Sequence, residues 1–246
     1  MTARVIGLSA LLVLSILLAP PQGARAQSVL ERTPNLQGDW IGDELHLTFV
    51  HRMWRVRRGG ENRATASTSS MVGYPVRTDV LLAAQYASRS TVGRSNELEL
   101  FARWAPLRPV EGAPVGLAVA AAYNTAAESF DGEVSVRLPV SELQLFGSVR
   151  AFSDAYRSGD SRVALGAGIL ARLRPSVALA ADVVSVVDRE AGEKIAWSAG
   201  LQLWIPRSPH SVSFHATNAA TTTLQGSSMG SRTMWGFDFT TPLTFF

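Results

Sequence analysis

The stretch Glu133-Val134-Ser135-Val136-Arg137-Leu138-Pro139-Val140-Ser141-Glu142-Leu143-Gln144-Leu145-Phe146-Gly147-Ser148-Val149-Arg150 alternates apolar and polar residues on both sides of a proline-marked break. Val134, Val136 and Leu138 oppose Glu133, Ser135 and Arg137; further on, Leu143, Leu145 and Val149 oppose Glu142, Gln144, Ser148 and Arg150. A period of two gives a strand one apolar and one polar face, whereas a helix needs apolar spacings of three and four. The pattern recurs. Leu98, Leu100, Ala102 and Trp104 oppose Glu97, Glu99 and Arg103, and Val163, Leu165, Ala167, Ile169 and Ala171 oppose Arg162 and Arg172. Val177, Leu179, Ala181 and Val183 oppose Ser176 and Asp182, and Ile195, Trp197, Ala199, Leu201 and Leu203 oppose Lys194, Ser198 and Gln202. Gly166, Gly168 and Gly200 lie inside these runs, where they weaken a helix but relieve crowding and permit curvature in a small barrel.

The start of the chain sets the compartment. Arg4, the apolar run from Val5 to Leu18 and the small residues of Ala24-Arg25-Ala26 read as a cleaved secretory signal at residues 1–26. The run is about 14 residues, where a membrane helix needs roughly 20. Residues 27–43 read as a periplasmic lead-in and 44–246 as a single β-barrel domain. Removing the leader takes two arginines and no acids, so the formal charge of +3 falls to +1 and gives no reason to expect a nucleic-acid partner. The chain has no cysteine, so an exported protein of this kind must take its stability from a closed hydrogen-bond network rather than from disulfides.

Prolines and polar loops give the topology. Five connections carry proline: at Pro75; at Pro106, Pro109 and Pro114; at Pro139; at Pro175; and at Pro206 and Pro209. Six polar segments without proline alternate with them, at 57–62, 88–95, 124–129, 153–160, 188–193 and 218–231. Eleven connections join twelve strands, and an even number lets the first and last strands pair antiparallel and remove the sheet edges. The expected fold is therefore all-β: an up-and-down transmembrane barrel with short proline turns on the periplasmic side and longer loops outside. A soluble periplasmic β-sandwich or lipocalin-like binding barrel is the competing architecture. The second strand, near Arg63–Val72, is rich in Ser and Thr and carries the weakest alternation.

The final strand places Trp235, Phe237, Phe239, Leu243 and Phe245 on one face, with Phe246 one step out of register. It resembles the aromatic terminal strand read by the outer-membrane barrel-assembly machinery, which makes that machinery, outer-membrane lipids and lipopolysaccharide the expected partners. Thr33-Pro34-Asn35, followed by Leu45-His46-Leu47-Thr48-Phe49-Val50-His51-Arg52 and Met53-Trp54, resembles the opening of an uncharacterised bacterial outer-membrane β-barrel family. The stretch from Ser208 to Asn218 and the threonine-rich segment after it are similar to that family too. The resemblance implies an outer-membrane barrel and no assigned activity.

Few residues suggest chemistry. The histidine pairs His46/His51 and His210/His215 are each five apart, so on a strand the two members point to opposite faces and cannot share a metal. His215-Ala216-Thr217-Asn218 is similar to the His-x-Ser-Asn element of outer-membrane lipid A deacylases, with Thr in place of Ser and no glutamate downstream. A lipid-modifying hydrolase using His215 and Thr217 is therefore the competing function, and a polar patch of His215, Thr217 and Asn218 facing the lumen is the simpler reading. Glu97, Glu99, Arg103, Glu133, Arg137, Glu142, Arg150, Arg162, Arg172, Asp182 and Lys194 are the candidate lumen charges, of both signs. Unpaired, each would cost several kcal/mol, so a filled or narrow lumen is expected, in a structural barrel or a narrow passive channel rather than an enzyme, with no cofactor. Leu100, Leu145, Leu179 and Leu201 are expected to face lipid. Glu99, Gln144, Ala180 and Gln202 are their lumen-facing neighbours, where a substituted arginine should be better tolerated.

Overall fold

A computed structural model of the chain describes residues 29–58, 61–94 and 96–243, in which twelve strands close into one antiparallel barrel. They are β1 (His46–Arg58), β2 (Glu61–Arg77), β3 (Val80–Ala87), β4 (Glu97–Leu107), β5 (Gly116–Asn124) and β6 (Ser129–Val140). The second half comprises β7 (Leu143–Phe152), β8 (Arg162–Arg174), β9 (Val177–Val186), β10 (Ala196–Trp204), β11 (Ser211–Ala219) and β12 (Gly230–Pro242). Each strand pairs with its sequence neighbours, and β1 closes on β12 from His46↔Pro242 to Met53↔Trp235, so no edge is left open. No helix among the described residues is long and apolar enough to cross a membrane. The signal-peptide reading at 1–26 and the terminal Phe245 lie outside the described residues.

Period two holds around the barrel. On β6 Val134, Val136, Leu138 and Val140 are exposed while Glu133, Ser135 and Arg137 are buried. Leu100, Leu145 and Leu179 point outward, and Leu201 is partly exposed; Glu99, Gln144, Ala180 and Gln202 point inward and are buried. A soluble barrel would reverse this arrangement, with apolar residues inside. Here the outer face is the apolar one, as a bilayer requires. The inner positions are packed against other atoms rather than bathed in a water-filled pore.

The connections depart from the sequence reading in position rather than in number. The turns at one end are 78–79, 108–115, 141–142, 175–176 and 205–210, so Pro75, Pro106 and Pro139 lie in strands instead. Pro75 and Pro106 sit where the register shifts, between Pro75 and Arg77 and between Trp104 and Leu107, and a residue without an N–H is accommodated at such a bulge. The weakly patterned second strand is real and is the longest, at 17 residues. Its Ser67 and Ser69 face the lumen, and the alternation is weak because Thr68 and Ser70, on the opposite face, are hydroxyl residues as well.

Two equally exposed valines on one strand test the membrane setting. Val134 lies in the middle of β6 and is 46% exposed; Val140 lies at its end beside the turn and is 48% exposed. Val134→Arg is expected to cost about 2–4 kcal/mol and to impair assembly, and Val140→Arg about 0–1 kcal/mol. The fraction of protein showing folded mobility on unboiled gels measures this. Equal tolerance of both would mean that no bilayer surrounds the strand.

Candidate functional site: a lumen filled by the chain itself

The barrel is filled from both ends by its own chain. The segment before β1, read as a lead-in, runs inside the barrel, with Leu30, Thr33, Asn35, Leu36, Asp39, Trp40 and Ile41 all buried. Thr33-Pro34-Asn35 forms a turn in which the Thr33 N–H donates to Leu36 O at 2.9 Å and Leu36 N–H donates to Thr33 Oγ1 at 3.1 Å. The turn presents Asn35 to Asp182 of β9: the backbone N–H donates at 3.0 Å and Nδ2 at 2.8 Å. Leu36 seats against Gly166 and Gly168 of β8, where added Cβ atoms would fall 2.9 and 3.2 Å from its methyl carbons. These two glycines thus form the socket for a filling residue. Asp39 accepts two hydrogen bonds from Arg137, through Nε and, at 2.8 Å, through Nη2. Arg32 stacks over Trp40 at 4.3 Å and donates to Thr240 Oγ1 of β12 at 2.9 Å.

From the other end, the β11–β12 connection, residues 220–229, folds inward. Thr221, Thr223, Gln225, Ser227 and Ser228 are fully buried. Its donors meet the acidic side of the wall: Thr223 Oγ1 donates to Glu97 at 2.7 Å, Leu224 N–H to Glu99 at 2.9 Å and Gln225 Nε2 to Asp131 at 3.0 Å. Arg52 of β1 donates to the carbonyls of Ala219 and Thr221 at 2.6 and 2.9 Å.

Arg150 joins the two fillers to the wall. Its Nε donates to Glu133 Oε1 at 2.8 Å, Nη2 to Asn35 O at 2.8 Å, and Nη1 to Ser227 Oγ and Ser228 Oγ at 2.9 Å each. Glu133 also faces Arg103 at 3.4 Å. A cavity of about 20 Å³ remains among Glu99, Arg103, Glu133 and Arg150, room for about one water.

Of the charges read from the sequence, Glu97, Glu99, Arg103, Glu133, Arg137, Arg150 and Asp182 enter the lumen and are buried. Arg162 sits at the loop-end rim, where it donates to Glu193 at 2.6 and 2.8 Å. Three readings need correction. Glu142 is exposed in the two-residue turn 141–142, and Lys194 is exposed in the β9–β10 loop, both beyond the strand whose parity was extended to them. Arg172 is only half-buried, because β8 shifts register between Arg172 and Arg174. Sequence reasoning missed Arg52, Asp131 and Asp238, which are buried on inner faces. Parity with Thr48 and Val50 would have placed Arg52 inward.

The histidine pairs divide between the two faces. His46 and His215 are buried inside; His51 stacks outside on Phe49 and Phe237, and His210 lies 5.4 Å from the Phe239 ring. His215, Thr217 and Asn218 are all buried at the junction of wall and inward loop. The Thr217 hydroxyl donates to Trp197 O at 2.8 Å, and His215 faces Ser213 Oγ at 3.4 Å and Asp238 at 3.7 Å. Asn218 accepts from Trp197 N–H at 2.7 Å and donates to Ile195 O at 2.8 Å. The arrangement bonds strand to strand and loop.

Two outcomes follow from this geometry. Arg150→Met leaves buried acceptors on wall, plug and loop unmatched and is expected to cost about 3–5 kcal/mol, with Arg150→Lys intermediate, read as a lower temperature for loss of folded gel mobility. At the rim, hydrogen bonding from Arg162 holds the Glu193 carboxyl below its ordinary value of 4.5. Because the folded value is depressed, this contact stabilises the β9–β10 loop above the ordinary carboxylate range and is lost as pH falls through the folded value. Glu193→Gln should reproduce the loss at neutral pH, seen as faster tryptic cleavage after Arg189; an unchanged rate would mean that the pair does not hold the loop.

No family model matches the sequence, and no curated protein sequence matches it. Solved outer-membrane porin structures do match the fold. The KdgM porin superposes with a TM-score of 0.56 at 7% identity, over 79% of this chain and 97% of that one. A KdgM porin in complex with disordered oligogalacturonate gives 0.54 at 7% identity over the same shares. The NanC porin gives 0.55 at 11% identity, over 80% of this chain and all of that one. At these identities the likeness is one of fold: a twelve-stranded barrel of porin type.

Proposed function

We propose that the protein is an outer-membrane barrel sealed by its own chain, structural at rest and a narrow passive channel for small solutes when a filling segment withdraws. The observation that carries this reading is Arg150, which holds the segment before β1 and the β11–β12 loop to one point on the wall. The short-turn end, which also holds both ends of the barrel, faces the periplasm, and the longer loops face outward. Outer-membrane lipids and lipopolysaccharide surround the apolar face, and the aromatic terminal strand is the signal for the assembly machinery. The resemblance of Thr33-Pro34-Asn35 and the following strand to an uncharacterised barrel family belongs to this reading. In this chain that turn docks Asn35 on Asp182.

The lumen wall carries Arg52, Arg103, Arg137 and Arg150 against Glu97, Glu99, Glu133, Asp131, Asp182 and Asp238. The acids outnumber the arginines six to four, so nothing transfers to this chain from the oligogalacturonate named with its structural neighbour. The reading is also non-enzymatic: the Thr217 proton is directed at Trp197 O, and His215 does not activate it.

Planar-bilayer conductance tests the proposal. The chain from residue 27 onward should be silent or open only briefly. Deletion of residues 29–43, or Leu36→Asp, which drives a charge into the glycine socket, should give steady conductance. Steady and equal conductance in all three would show that the resident segment does not seal the barrel.

A further inference from the structure

A pocket at the loop-end rim lies beside the inward β11–β12 loop, whose end residues Ala220 and Met229 form part of its wall. Trp54, on the inner face of β1, is 6% exposed, yet its indole N–H has no hydrogen-bond partner. Two guanidiniums lie over its ring: that of Arg89, from the β3–β4 loop, at 4.5 Å, and that of Arg232, from β12, at 5.7 Å. Both arginines are exposed, and among the described residues neither has a carboxylate partner. The Thr91 hydroxyl beside them is buried and unpartnered as well. Together these groups line a pocket of about 260 Å³, and among the described residues its wall contains no acidic side chain.

Two like charges held over one ring repel each other, and the stacking energy of exposed cation–π contacts is small. An oxyanion between the guanidiniums removes the repulsion and accepts charge-assisted hydrogen bonds from both. Trp54 and Thr91 line the same pocket and carry an unpartnered indole N–H and hydroxyl. A tetrahedral oxyanion has acceptors enough for all of them. The ring faces a guanidinium at short range, so it does not serve as a bare platform for stacking a sugar or a base. The pocket opens on the mouth of the barrel, inside the wall, so its occupant comes from solution and not from the lipid face.

We propose that Arg89, Arg232, Trp54 and Thr91 form a binding site at the outer mouth for a soluble phosphate group, with room in the pocket for a small organic remainder. The four proposed contact residues belong to neither filling segment, while Ala220 and Met229 at the two ends of the inward loop complete the pocket wall.

Isothermal titration calorimetry on the folded chain in a zwitterionic detergent, in chloride buffer of matched ionic strength, tests it with inorganic phosphate and glycerol 3-phosphate. Both should bind the native protein. The double variant Arg89→Ala/Arg232→Ala should bind about tenfold more weakly or worse. Trp54→Phe, which keeps a ring under the guanidiniums and removes the N–H, should weaken binding by a smaller factor. Folded gel mobility of each variant confirms an intact barrel, and single Arg→Lys changes serve if the double variant does not fold. Absence of binding to the native protein, or binding unchanged in the double variant, overturns the site. An equal response to acetate reduces it to unspecific charge attraction. Binding seen only with micelles containing phosphatidylglycerol would assign the arginines to a lipid headgroup instead.

Discussion

Burying charge inside a protein wall is costly unless every charge meets a partner, and that constraint governs this barrel. Arg150 is the clearest instance. One guanidinium reaches a glutamate on the neighbouring strand, a carbonyl of the segment that precedes β1, and two serines of the loop that precedes β12. Glu133 is shared in turn with Arg103. With alternate residues committed to lipid on the outside, the inner face receives most of the polar side chains of the strands, and the lumen is too narrow to hydrate them all. Segments of the chain supply the missing partners.

The result is an interior built the opposite way from a soluble protein. Apolar atoms cluster where the fillers touch the wall, as Leu36 does on Gly166 and Gly168. Elsewhere the core is a polar network in which backbone amides and hydroxyls count as much as ion pairs: Glu97 and Glu99 are met by a threonine hydroxyl and a peptide N–H, not by cations. Such a network tolerates acids and bases together on the wall and needs no disulfide.

Much of this was legible in the sequence because period two is a local property. The strand β4 and the strands from β6 to β10 could be read with their facing, since Val134 and Arg137, or Leu179 and Asp182, differ in kind as well as in parity. The reading weakened wherever the physical reason was not local. Pro75 and Pro106 look like turn residues but occupy bulges, and a bulge depends on the partner strand. Glu142 and Lys194 were assigned by extending a strand past its end. The inward course of residues 29–45 and 220–229 could not be read at all. Thr221, Ser227 and their neighbours look like any solvated loop, and only a wall of unmatched carboxylates and guanidiniums makes the lumen a better solvent for them than water.

The two fillers occupy particular places in the chain. One immediately precedes β1 and the other immediately precedes β12, the two strands that meet at the closing seam. The pairing of His46 with Pro242 joins residues separated by nearly the whole barrel sequence, and contacts of such separation form late. The contents and the seam are therefore tied to the same two strands. Because each filler is the immediate sequence neighbour of a seam strand, the two strands that complete the wall also deliver its contents to the lumen.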